Sequence, residues 1–74
     1  MKLDQLPLGA WAVVRSVHGS TGITLRLMEL GLIPGTSVRI RKRAPFGGPI
    51  QLELLGFRMS VRPNEASAFE VDAG

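Results

Sequence analysis

The stretch Leu25-Arg26-Leu27-Met28-Glu29-Leu30-Gly31-Leu32-Ile33-Pro34-Gly35 constrains this chain more than any other. Ile23, Leu27 and Leu30 recur at three- and four-residue steps, which predicts a short helix with an apolar stripe. Arg26 and Glu29 stand three apart and can pair on its solvent side. Gly31 falls where a helix ends on a left-handed residue, a conformation that costs glycine nothing because it has no Cβ. Leu32 and Leu27 then occupy the two positions whose apolar contact accompanies such a cap. Pro34-Gly35 follows as the centre of a type II turn, with proline fixing φ at its second position and glycine supplying positive φ at its third. One short helix is thus stopped, tucked in and turned within a few residues. Ser20 or Thr21 supplies its N-cap, without a glutamate at the third helical position to complete a capping box.

The remaining apolar residues alternate rather than recur at helical spacing. Ala10 to Val17 predicts a first strand, with Val14 on one face and Val13 and Val17 on the other; Trp11 fits either face. In Ser37 to Arg43, Val38 and Ile40 point inward and Arg39, Arg41 and Arg43 outward. Ala44 to Pro49 is a Pro- and Gly-rich hairpin loop. Ile50, Leu52 and Leu54 share the inner face of a third strand. Leu55-Gly56 turns the chain into a fourth, where Phe57, Met59 and Val61 alternate with Arg58, Ser60 and Arg62. Pro63 to Ala66 reads as one helical turn, and Ala68 to Val71 as a fifth strand with Phe69 and Val71 inward. Leu3 and Leu6 are available to seal one end of the core. Five short strands with a helix between the first two predict a mainly β, small SH3-like barrel. An OB-like barrel is the runner-up, but its helix lies later in the chain.

Composition narrows the classes. A chain of 74 residues is one domain and buries only about 60–65% of its unfolded surface, so the hydrophobic 45% is needed for the core. No apolar run approaches the roughly 20 residues that span a bilayer. Lys2 and the Ala10-Trp11-Ala12 step loosely mimic a signal peptide, but Asp4, Gln5 and Pro7 interrupt it, which favours a cytoplasmic location. The chain has no cysteine, which excludes a disulfide framework and a thiolate metal site. His18 is the single histidine and the only weak metal candidate, because the carboxylates are scattered; no cofactor is expected. Ser16, Ser20 and Thr21 near His18 lack an orienting carboxylate, so catalysis is not expected. A polyproline groove needs more aromatic residues than this chain offers.

The order Arg26-Leu27-x-Glu29-Leu30-Gly31-Leu32-x-Pro34-Gly35, then Ala44-Pro45-x-Gly47-x-Pro49, Arg62-x-x-Glu65-Ala66 and Val71, resembles the FeoA family from about residue 3 to residue 72. The same module is similar to the C-terminal SH3-like domain of iron-dependent transcriptional repressors. No DNA-binding segment precedes it here, so a free-standing FeoA-like domain over residues 1–74 is expected. The resemblance implies a non-enzymatic, cytosolic accessory protein of bacterial ferrous-iron uptake, acting with FeoB, a membrane transporter with a GTP-binding domain. Gly48 stands where many family members carry an acidic residue.

Three readings of the basic strand residues Arg39, Arg41 and Arg43 follow: a strand edge kept charged against unwanted pairing, docking on an acidic partner surface, and nucleic-acid binding. The third is the alternative function, with Trp11 and Phe46 as the only aromatic residues phased for stacking. In the docking reading Phe46, at the hairpin tip, and Leu25 and Met28, off the helix stripe, form the apolar contacts together with the neighbouring helix-cap residues Leu32 and Ile33. The three arginines supply electrostatic steering, or one of them acts in trans on the GTP-binding domain. A weak, metal-bridged homodimer through His18 is the remaining expectation.

Overall fold

The computed structural model describes residues 1–19 and 21–73. Five strands, β1 (Ala12–Val17), β2 (Ser37–Arg43), β3 (Ile50–Leu54), β4 (Phe57–Val61) and β5 (Phe69–Ala73), form one antiparallel sheet in the order β4-β3-β2-β1-β5. An eight-residue helix α1 (Gly22–Glu29) lies between β1 and β2, and a single turn α2 (Pro63–Ala66) precedes β5. This is the mainly β, SH3-like barrel that the alternation predicts. β2 builds the bend: Val38 pairs Ala12 of β1 on one side and Leu54 of β3 on the other. The inward set is Val14, Val38, Ile40, Ile50, Leu52, Leu54, Val61, Phe69 and Val71, all buried. Leu3, in a short 3₁₀ turn over Leu3–Gln5, and Leu6 plug the core with no exposure at all.

The organising stretch behaves as a Schellman-capped helix. Gly31 has φ +117°, the Leu32 N–H donates to the Leu27 carbonyl at 3.0 Å, and the Gly31 N–H to the Met28 carbonyl at 3.0 Å. Leu27 and Leu32 are both buried, and enclosing one leucine side chain is worth about 1.5–3 kcal/mol. The Pro34-Gly35 turn closes with the Thr36 N–H on the Ile33 carbonyl at 3.0 Å, and the Gly35 N–H then donates to Val14 of β1 at 2.8 Å. At the other end, the Thr21 hydroxyl accepts from the Thr24 N–H at 3.2 Å. The alternative N-cap, Ser20, lies outside the described residues.

Four expectations are corrected. The buried face of α1 carries Thr24 and Leu27 with Met28 packed on the core, whereas Ile23 and Leu30 are half exposed; Thr24 satisfies its hydroxyl on Thr21 at 2.9 Å and so can face inward. β2 is not an edge, because β1 and β3 flank it, so its arginines do not guard an open ladder. A bulge between Ile40 and Lys42 shifts the register, so Arg43 pairs Ile50 and lies on the inner side at the barrel end, while Lys42, opposite Gln51, takes the outer side. Phe57 holds the inner phase but sits at the barrel rim and is 42% exposed.

Candidate functional site

β2 and β3 carry the two features that the docking reading needs, a basic outer face and the loop beyond it. On the face, Glu53 of β3 lies directly opposite Arg39 of β2. The Arg39 guanidinium donates to Glu53 Oε1 through Nε at 3.1 Å and Nη2 at 2.9 Å. Arg41 Nε approaches the same oxygen at 3.3 Å. Hydrogen bonding from Arg39, reinforced by attraction to Arg39, Arg41 and Arg58, outweighs partial burial and holds the Glu53 carboxyl below its usual value. Arg39 also lies over the Trp11 ring, 4.9 Å from its centroid. That places Trp11 on the outer face, at the position the alternation left open. Arg43 is turned away from this cluster and donates to the Leu6 carbonyl at 2.6 Å. The three arginines therefore do not act as one row: two clamp a single carboxylate and the third ties down the N-terminal plug.

The hairpin loop ends in a tight turn. Phe46 and Gly47 have φ +60° and +71°, and the Gly48 N–H donates to the Pro45 carbonyl at 3.2 Å. Two consecutive positive φ values define a type I′ turn, whose first central position favours Asn, Asp or Gly. Phe46 is the single non-glycine residue at positive φ among those described, and its side chain is fully exposed, at 104%. The loop therefore presents the ring rather than folding it over the barrel. Gly48 is needed by its neighbours: a Cβ there would stand 2.7 Å from the Ala44 Cβ. An acidic side chain at this position does not fit the loop as it is closed here.

The expected helix contacts divide. Leu25 and Ile33 are exposed at 49% and 44%, Met28 is half-buried against the core, and Leu32 is fully buried. Leu32 is thus a structural residue, and Leu30, at 51% exposed, takes its place on the surface. Arg26 and Glu29 are exposed on the outer side of α1. His18 borders a cleft of about 240 Å³ lined with Thr21, Ile23, Thr24, Asn64, Glu65 and Ala68. Glu65 already accepts from the Arg62 N–H at 2.8 Å, and among the described residues no three His, Cys, Asp or Glu side chains converge as a metal site. No helix among them is long and apolar enough to cross a membrane. Arg58 of β4, aligned with Glu53, escaped the sequence reading, although its outward phase was legible from the alternation.

A family model described as the FeoA domain matches residues 1–73. The chain belongs to the FeoA family. Among solved structures, the FeoA protein of Chlorobium tepidum is 37% identical with a TM-score of 0.89, over 99% of this chain and 70% of that one. FeoA of Stenotrophomonas maltophilia, described as complexed with zinc and as a prokaryotic SH3 domain protein, is 38% identical with a TM-score of 0.85, over 97% and 89%. A Porphyromonas gingivalis protein described as a fusion of Fe(2+) transport protein A with the Fe(2+) transporter FeoB is 28% identical over 72 residues. Those residues are 97% of this chain and 8% of the fusion protein. A manganese-dependent transcriptional repressor shares the fold at 19% identity and a TM-score of 0.85.

Proposed function

We propose that the chain is a non-enzymatic, cytoplasmic accessory of ferrous-iron uptake that docks on a FeoB-type transporter and modulates it. The observation that carries this reading is the relative, described as a fusion with the transporter FeoB, in which a segment matches 97% of this chain. A fusion holds two partners at high effective concentration, which is useful only when they act together. The fully exposed Phe46, held on a loop with prolines at both shoulders, supports a docking role because a pre-set aromatic anchor loses little conformational entropy on binding. Leu25, Leu30 and Ile33 extend the apolar contact, and Arg39, Arg41 and Arg43 contribute to a positive field that speeds encounter with an acidic surface.

The test is a titration of the isotope-labelled chain with the transporter's cytosolic GTP-binding region, followed by one with the full transporter in a lipid nanodisc. Resonance shifts confined to residues 39–49 and to the exposed side of α1 are expected. Phe46→Ala should weaken binding, and Arg39→Gln with Arg41→Gln should slow association mainly at low salt. A chain that shows no shifts with either form of the transporter refutes the reading. Stimulated GTP hydrolysis that survives neutral replacement of each arginine removes an arginine acting in trans.

A further inference from the structure

The sheet has two edges, and the fold treats them differently. The outer side of β5 is occupied: the Val71 N–H donates to the Met1 carbonyl at 2.8 Å, and Lys2 forms a bridge with Glu70. Among the described residues β4 has β3 on one side and no strand on the other. Its register with β3, Leu54↔Phe57 through Ile50↔Val61 around the two-residue Leu55-Gly56 turn, makes Phe57, Met59 and Val61 the hydrogen-bonded positions. The N–H and C=O groups of Arg58 and Ser60 then point away from the sheet. Among the described residues none of these four groups has a partner.

The side chains beside this edge carry a charge pattern. Arg39, Glu53 and Arg58 stand directly opposite one another across β2, β3 and β4, so a plus–minus–plus row crosses the outer face. Glu53 is occupied by Arg39 and Arg41, and Arg58 has no carboxylate within ion-pair distance among the described residues. The row ends at the open edge on an unbalanced cation. On the inner phase Phe57 is 42% exposed, and its ring lies within 3.6 Å of a Cβ built on Gly31. Phe57 and Met59 are the inner-face neighbours of any strand added at Arg58.

We propose that the free edge of β4 is a strand-addition site for an extended acidic segment of a partner protein, in which a carboxylate faces Arg58 and the residues flanking it are apolar. The backbone supplies four hydrogen bonds, the carboxylate completes the charge row, and the apolar neighbours cover Phe57 and Met59. A second copy of the chain fits less well, because two antiparallel β4 edges bring like-charged, Arg58-bearing faces together. The proposal does not depend on the transporter reading: its contacts are the backbone of Arg58 and Ser60 and the side chains of Phe57, Arg58 and Met59, none of which that reading uses.

The test uses the isotope-labelled chain and the peptide acetyl-Thr-Val-Glu-Val-Thr-amide, with its Glu-to-Lys counterpart as control. The Glu peptide should shift the Arg58 and Ser60 amides and slow their hydrogen exchange, and the Lys peptide should bind about fivefold more weakly or worse. Arg58→Glu should reverse that preference, and Ser60→Pro, which removes an outward N–H the β3 ladder does not use, should abolish binding. Should the proline destabilise the strand, the reversal by Arg58→Glu decides alone. Equal affinity for both peptides, no saturable shifts in β4, or Arg58 and Ser60 amides already protected in the free chain would each overturn the proposal; concentration-dependent protection assigns the edge to self-association instead.

Discussion

Replacing Phe46 by asparagine should make this chain more stable. Phe46 sits at φ +60° in the first central position of a type I′ turn, where an L-residue with a bulky side chain pays about 1–2 kcal/mol for crowding between its Cβ and the backbone. In most folds such a residue recovers the cost through contacts. Here the ring is fully exposed, so truncation opens no cavity and loses no burial. Asparagine tolerates the left-handed region, and Asn-Gly is the preferred pair for this turn. Phe46→Asn should therefore raise the unfolding free energy by about 1 kcal/mol, which corresponds to roughly 4–8 °C in Tm for a domain of this size.

Urea unfolding should show a higher midpoint with an unchanged slope, because the surface exposed on unfolding hardly changes. Two controls separate strain from side-chain chemistry. Phe46→Ala keeps a Cβ at positive φ and should stay within about 0.5 kcal/mol of the parent. Phe46→Gly relieves the strain but gains unfolded-state freedom worth about 0.5–1 kcal/mol, so it should fall between the two. A neutral or destabilising Phe46→Asn refutes the argument and means the ring makes contacts in solution. A stabilised variant that no longer binds the transporter shows a phenylalanine kept at the tip for contact, against the preference of its own backbone.

Two further predictions follow from the cap and the charge row. Gly31→Ala should cost about 1–2 kcal/mol, read by urea unfolding, because φ +117° is strained for any residue with a Cβ, and a cost below 0.5 kcal/mol would contradict the cap. Glu53 has a folded pKa below its unfolded value, so its contribution is present above about pH 4.3 and is lost as pH falls from there through the folded pKa; Glu53→Gln should flatten the fall of Tm between about pH 5 and pH 3.

The fold was legible because its signals are local. Gly31 and Leu32 encode the cap, Pro34-Gly35 the turn, and the alternation in Ile50–Leu54 the third strand, with boundaries that match the structure. The buried face of α1 was misread at two residues, where a local rule met a tertiary choice. Leu30 fits the helical stripe by spacing, yet the Schellman bend carries Leu32 into the core instead and leaves Leu30 exposed. Thr24 is polar and was passed over, yet it is buried because its hydroxyl is satisfied by Thr21.

The candidate site was less legible for a different reason. Alternation assigns a residue to a face, but which side chains meet depends on register, and register is a relation between strands. Arg39, Arg41 and Arg43 are equivalent by period two; the bulge after Ile40 makes Arg41 a second clamp on Glu53 and sends Arg43 to the Leu6 carbonyl. Nothing in the string Arg39-Ile40-Arg41-Lys42-Arg43 marks the bulge, since no glycine is required there. Arg58 shows the converse. Its outward phase was plain, but its place in line with Glu53 and Arg39, at an edge that no other strand covers among the described residues, is visible only in the fold. A cluster of charges in sequence was thus partly neutralised by the fold, and an isolated one was left unbalanced at the open side of the sheet.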